Sequence, residues 1–285
     1  MVLRPLVALA LVAGLAPVFW RTNASAQSGD YTVTELGRNL HLIAGRGGNA
    51  VVLADPAGTL LVNCKYGRDA AELQKVIAGL GGGPLRWLLL TDDRPEHSDA
   101  VAAFPRDLTV VAHHRTDQRL RAEARRGADL TFDSTVHIRV GTRLVTMQHK
   151  GSAATDGVAY VHFHEAQVLV LGTLVHDQYH PVILPDHGGS IRSSVRVLRD
   201  LRKDYKNSSA LQLVPGEGKP GPHALFDQQL TYWNDVIDAT TAAHEHGETL
   251  EEAYRSAEPV RLKYASWRGE HWRRNVEIAY RETAQ

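Results

Sequence analysis

One seven-residue stretch carries a concentration of groups able to do chemistry: Thr91, Asp92, Asp93, Arg94, Pro95, Glu96 and His97. It holds three carboxylates, a guanidinium and an imidazole, the types that bind metal, move protons or pair with charged ligands. A second concentration is His176, Asp177, His180 and His187, where a His-Asp-x-x-His spacing can gather a metal if the loop turns helical. The chain has 15 His in all. His162 and His164, two apart on a strand, share one face and read as an exposed pair. Other schemes find no support. Ser152 and Ser190 sit beside glycines, but no Gly-x-Ser-x-Gly elbow or Gly-x-x-x-x-Gly-Lys phosphate loop is present. The single cysteine, Cys64, closes an apolar stretch and reads as a buried small residue rather than a reactive thiol.

The elements that must position these groups follow from periodicity. Short alternating strands are expected at 31–36, 40–43, 49–53 and 59–64, with Asp55-Pro56-Ala57-Gly58 as a turn. Apolar residues at helical spacing, Ala70, Leu73, Val76, Ile77 and Leu80, predict a helix over 69–80 that Gly81-Gly82-Gly83-Pro84 stops. Leu85–Leu90 is nearly continuously apolar, as in a strand buried on both faces. The loop 91–99 lies at its C-terminal end, where parallel sheets carry their ligand groups. A short helix at 100–104, a strand at 108–112 and a helix at 116–126 follow.

The second half repeats the plan. Strands are expected at 135–140, 143–149, 158–163, 167–171 and 210–214, with a long loop at 172–188 and helices at 190–203 and 222–247. Two shorter helices finish the chain. No Pro/Gly/Ser linker divides the halves, which predicts one domain of two packed sheets with helices outside.

Several stretches resemble landmarks of the metallo-β-lactamase superfamily, whose zinc loop reads Thr-His-x-His-x-Asp-His after an apolar strand. Here Leu88-Leu89-Leu90 precede Thr91–His97. Ala154-Thr155-Asp156-Gly157 resembles the family's His-Thr-Asp-Gly, Gly172-Thr173 its Gly-Asp, and Pro215-Gly216-Glu217-Gly218 its Pro-Gly-His-Gly. Asn63 takes the place of an early Asp, and Gly47-Gly48-Asn49 and Gly188-Gly189-Ser190 resemble its turns. The resemblance covers roughly residues 31 to 220. It implies an α/β fold, the four-layer αββα sandwich of the metallo-β-lactamase type.

It also implies a former metal pocket made by Asp92, Arg94, Glu96, His97, Ala154, Thr173 and Glu217. In the family, two metal ions activate a water for hydrolysis. The first ion would fall to Asp92, Arg94 and Ala154, of which Ala154 has no donor atom and Arg94 is a permanent cation. The second would fall to Glu96, His97 and Glu217, with Thr173 as a poor bridge. The expectation is therefore a non-hydrolytic pseudo-enzyme without a bound cofactor, which binds a small molecule or a partner protein. The alternative is a hydrolase with a single divalent metal at Glu96, His97 and Glu217. Arg94 is expected to turn into the pocket and bond Asp92 or Glu217.

Composition sets the remaining bounds. Lys+Arg and Asp+Glu both number 32, so nothing in the balance points to nucleic acid or an anionic membrane. Arg4, the apolar run Leu6 to Trp20 and Ala24-Ser25-Ala26 have the order of a secretory signal peptide. Residues 1–26 are accordingly expected to be a leader and 27–285 the mature domain, exported to the periplasm or secreted. The apolar run is shorter than the roughly 20 residues of a membrane span, so no stable span is expected after cleavage. A retained anchor is the alternative.

Overall fold

The computed structural model describes residues 26–28 and 30–284; the expected leader, residues 1–26, lies almost wholly outside them. Ala26–Ser28 (β1), Tyr31–Gly37 (β2), Leu40–Gly45 (β3), Ala50–Asp55 (β4) and Gly58–Val62 (β5) pair in chain order, each antiparallel to the next. Helix α1 (Ala70–Gly79) then carries the chain back. The next strands, β6 (Leu85–Leu90), β7 (Thr109–His113) and β8 (Leu130–Phe132), therefore add in parallel to β5. Between them lie the short helix α2 (Pro95–Ser98) and α3 (His114–Ala122). The result is one eight-stranded sheet.

The second sheet is an antiparallel meander of β9 (Thr135–Val140), β10 (Arg143–Gln148), β11 (Tyr160–Phe163) and β12 (Val168–Val170). Helix α4 (Ile191–Asp204) then crosses over, so that β13 (Gln212–Val214) joins β12 in parallel. Helices α5 (Ala224–Glu245), α6 (Leu250–Ser256), α7 (Glu258–Lys263) and α8 (Trp272–Thr283) complete the described chain. Three helices therefore follow α5 where two were expected, because Pro259 starts a new turn directly after Ala257.

Strand alternation builds the layers. Leu89 and Val111 face the space between the sheets, where they meet Val145, Met147, Val161 and Val170. Their neighbours Leu88, Leu90, Val110 and Ala112 point the other way, onto Leu73, Val76 and Ile77 of α1 and Leu120 of α3. On the far side, Leu169, Leu171 and Leu213 pack against Val195 and Leu198 of α4, Phe226 and Trp233 of α5 and Val276 of α8. Helix, sheet, sheet, helix: this is the expected αββα sandwich. Among the described residues, no helix is long and apolar enough to cross a membrane.

Parallel pairing brings strand ends together. The C-terminal ends of β5, β6, β12 and β13 deliver Asn63, Asp92, Thr173 and Glu217 to one edge, and backbone bonds tie these loops. Asn49 N–H donates to Gly216 O (2.7 Å), Gly48 N–H to Glu96 O (3.2 Å) and Cys64 N–H to His97 O (2.7 Å). The Asn49 side chain is a clamp, since its Nδ2 donates to the carbonyls of Pro215 (2.9 Å) and Gly218 (3.0 Å). Asn49→Ala would strand two largely buried carbonyls, at a cost of about 1–3 kcal/mol. Chemical denaturation should show that loss. An unchanged unfolding midpoint would mean the clamp contributes nothing.

Candidate functional site

The loop after β6 turns sharply because Pro95 follows Arg94. A residue before proline is driven to extended backbone, and Arg94 has φ −63° and ψ 141°. The Asp92 carboxylate accepts the Arg94 backbone N–H (3.1 Å), and α2 then brings His97 back over Asp92. His97 Nδ1 lies 2.8 Å from Asp92 Oδ2 and 2.9 Å from Oδ1. Thr91 Oγ1 (3.0 Å) and Thr173 Oγ1 (3.2 Å) also donate to Oδ2. Both Asp92 and His97 are wholly shielded from solvent.

Burial works against charge on both groups, but each outweighs that cost for the other. Asp92 is held well below the carboxylate range by the His97 imidazole, its hydrogen bond and the Arg94 charge. His97 is raised above its ordinary 6.5 by Asp92, despite the opposing effects of burial and Arg94. Each group therefore favours the charged form of the other.

Arg94 does turn inward, with its side chain 14% exposed, but the partner is different from the one expected. Its guanidinium pairs with Glu96, itself largely buried, rather than bonding Asp92 or Glu217 side chain to side chain. Asp92 is already saturated by His97 and two hydroxyls. Arg94 still acts at range, because its charge lowers the proton affinity of Asp92 and of buried His176.

Glu217 lies across the site beside His176, which the 172–188 loop supplies. Asp177 N–H donates to Glu217 O (2.9 Å), and His176 Nε2 is 3.9 Å from Glu217 Oε2. Neither ring nitrogen of His176 has a hydrogen-bond partner, and neither has His97 Nε2. Burial, then the Arg94 charge, hold His176 well below 6.5, so it is neutral. Burial raises Glu217, reinforced by Glu96 and opposed by Arg94 and His97.

Of the seven expected pocket residues, six gather at this edge. The seventh, Ala154, is buried in the apolar cluster that also holds Leu171, Leu174 and Val175 on either side of Thr173, and it offers no donor atom. The loop histidines do not gather. The 172–188 segment forms only short 3-10 turns instead of a helix, so its side chains scatter: His176 to Glu217, His180 to the Tyr232 hydroxyl (3.1 Å) and His187 to Asp93. Asp177 instead accepts the Lys219 N–H (3.0 Å). The His162–His164 pair is real, with ring centres 3.9 Å apart, but His162 is half-buried and burial pulls it down to about 4. Cys64 is buried as expected, and burial pushes its thiol far up, away from reactivity.

Two contributors carried no sequence signal. His271, just before α8, feels the charges of Arg94 and Glu96. Lys65 is fully buried, and its Nζ donates to the carbonyls of Gly48 (2.6 Å) and Arg46 (3.1 Å), which fixes the turn over His97. Burial pulls Lys65 down to about 7. Gly48 must be glycine there, since a Cβ would fall 2.4 Å from His97 Nε2. Asn63 and Lys65 are both left-handed, at φ 60° and 63°, which places strained backbone next to the site.

Outside Glu217 lies an open cavity of about 350 Å³, lined among others by Asn49, Asp177, Tyr179, Lys219 and Arg268.

Comparison with solved structures is specific about the fold. The chain has the metallo-β-lactamase fold. It is similar to the DIM-1 metallo-β-lactamase, at TM-score 0.63 and 17% identity over 72% of this chain and 97% of that one. It is also similar to a metallo-β-lactamase from Pontibacter korlensis, at TM-score 0.65 and 17% identity over 72% and 99%. A third similar structure is the metallo-β-lactamase IND-7, at TM-score 0.65 and 16% identity over 73% and 100%. No family model and no curated protein matches the sequence.

The Arg94–Glu96 pair is testable. Arg94→Ala leaves the Glu96 carboxylate shielded and without its cation, which should lower unfolding free energy by about 1–4 kcal/mol, below the fully buried limit because Arg94 is partly exposed. Arg94→Ala combined with Glu96→Gln should recover part of the loss. Equal stability of parent and Arg94→Ala in urea melts would show that the pair is idle.

Proposed function

We propose that this chain is an exported pseudo-enzyme, a metallo-β-lactamase fold whose strand-end site holds its charges by internal pairing and binds rather than hydrolyses. The observation that carries this reading is the Asp92–His97 couple beside the Arg94–Glu96 pair. Asp92, the one first-ion position with a suitable donor, is fully engaged by protein groups. The donor set also fits a zinc pair poorly. Ala154 offers no ligand atom, and Arg94 brings a fixed positive charge.

A small polar molecule, or a partner protein's polar segment, suits the cavity beside Glu217. Asp177, Glu217, Lys219 and Arg268 there offer both signs of charge. The leader-like N-terminus and balanced charge fit a periplasmic or secreted protein that does not act on nucleic acid.

The competing reading, a hydrolase with one metal at Glu96, His97 and Glu217, has one feature in its favour. His97 Nε2 and both nitrogens of His176 are buried without partners. Against it, among the described residues the ligand atoms of Glu96, His97 and Glu217 do not come within 4.8 Å of one another as a group.

Elemental analysis of protein grown with added zinc, iron and manganese, parent against His97→Ala, separates the two readings. The pseudo-enzyme should lose no metal on that substitution and show no metal-dependent hydrolysis of β-lactams or simple thioesters. A stoichiometric metal that disappears in His97→Ala, together with such hydrolysis, would establish the competing reading.

A further inference from the structure

Asp93 adjoins Asp92 in sequence but shares none of its side-chain partners. Its side chain is 3% exposed and meets His187 of the 3-10 turn Pro185–His187, with Oδ2 3.0 Å from His187 Nδ1. The two atoms are not aligned for a hydrogen bond, and neither His187 Nδ1 nor Asp93 Oδ1 has a hydrogen-bond partner. Glu123, at the C-terminal end of α3, reaches in from solvent with half its side chain exposed. One ligand atom from each of the three lies within 4.8 Å of the other two.

Two guanidiniums border this cluster. Arg119 pairs with Asp156 and donates to His187 O (2.9 Å), so its other nitrogen comes only to 3.7 Å from Asp93 Oδ1. Arg125 donates to the Asp93 carbonyl (2.8 Å) and to Ser98 Oγ (2.6 Å), and pairs with the exposed Glu123 carboxylate (3.3 Å), a contact that a metal would have to compete with. They hold the backbone of two ligand-bearing loops and leave the buried carboxylate oxygen without a donor.

We propose that Asp93, Glu123 and His187 form a mononuclear site for a divalent transition metal of the zinc class, separate from the pocket around Asp92 and His97. One imidazole nitrogen and two carboxylates are a donor set zinc accepts, at about 2.0–2.2 Å each. Two ligand atoms on one such ion sit roughly 3–3.5 Å apart, close to the Asp93–His187 separation. Glu123 has the freedom to close the rest, and a fourth position stays open to water. The ion would join the loop after β6, the end of α3 and the Pro185–His187 turn. Arg119 and Arg125 make the site weaker than one without neighbouring cations.

Full-length protein stripped with a chelator is titrated with Co²⁺, read by visible absorption, and with Zn²⁺, counted per chain after desalting. One equivalent should bind, and zinc should displace cobalt. His187→Ala and Glu123→Gln, both at partly exposed positions, should each weaken uptake by about tenfold or more, while His97→Ala protein that remains folded by circular dichroism should still take up one equivalent. The proposal is overturned by the absence of saturable uptake, or by uptake that His187→Ala and Glu123→Gln leave untouched. Uptake lost only in His97→Ala would overturn it too, and would also contradict the pseudo-enzyme reading, which the other failures leave standing.

Discussion

A carboxylate with no access to water must be given a positive partner, and at the centre of this molecule that carboxylate is Asp92. Unpaired, it would take up a proton or destabilise the sandwich. Most of the compensation comes from the loop after β6, where His97 supplies an imidazole, Thr91 a hydroxyl and Arg94 a backbone N–H and a nearby charge, while Thr173 adds a hydroxyl from the end of β12. Much of the surrounding construction serves to hold His97 in place. Gly48 leaves room for its ring, Lys65 fixes the Gly48 turn, and Cys64 N–H fixes the His97 carbonyl.

This arrangement separates architecture from chemistry. Parallel strand ends converge here, with Asn63, Asp92, Thr173 and Glu217 at one edge. A fold sets where functional groups can sit, while the groups themselves decide what happens there. In this chain the same edge holds two compact charge pairs and a neutral buried histidine, with a polar cavity outside Glu217.

The layers were legible because strand periodicity is a local property. Leu88, Leu89 and Leu90 are all fully buried, and their alternation between two clusters is what a continuous apolar strand between packed layers requires. Asp92, Thr173 and Glu217 could be placed together because each follows a strand whose end is fixed by the sheet. The partners were not legible. Arg94 bonds Glu96 instead of Asp92 or Glu217 because a side chain chooses among neighbours only a few ångströms apart. His176 and His187 part company because an irregular loop carries no period from which direction can be read. Asp93, Glu123 and His187 come from three elements, and nothing in their spacing announces that they meet.

The central claim, that a protonated His97 neutralises Asp92, is open to direct observation by ¹⁵N NMR of the histidine side chains, with His97 assigned by its loss in His97→Gln. Its ring should show both nitrogens protonated at pH 6.5 and give up the proton only above that value. A His97 ring that is neutral at pH 6.5 would contradict it.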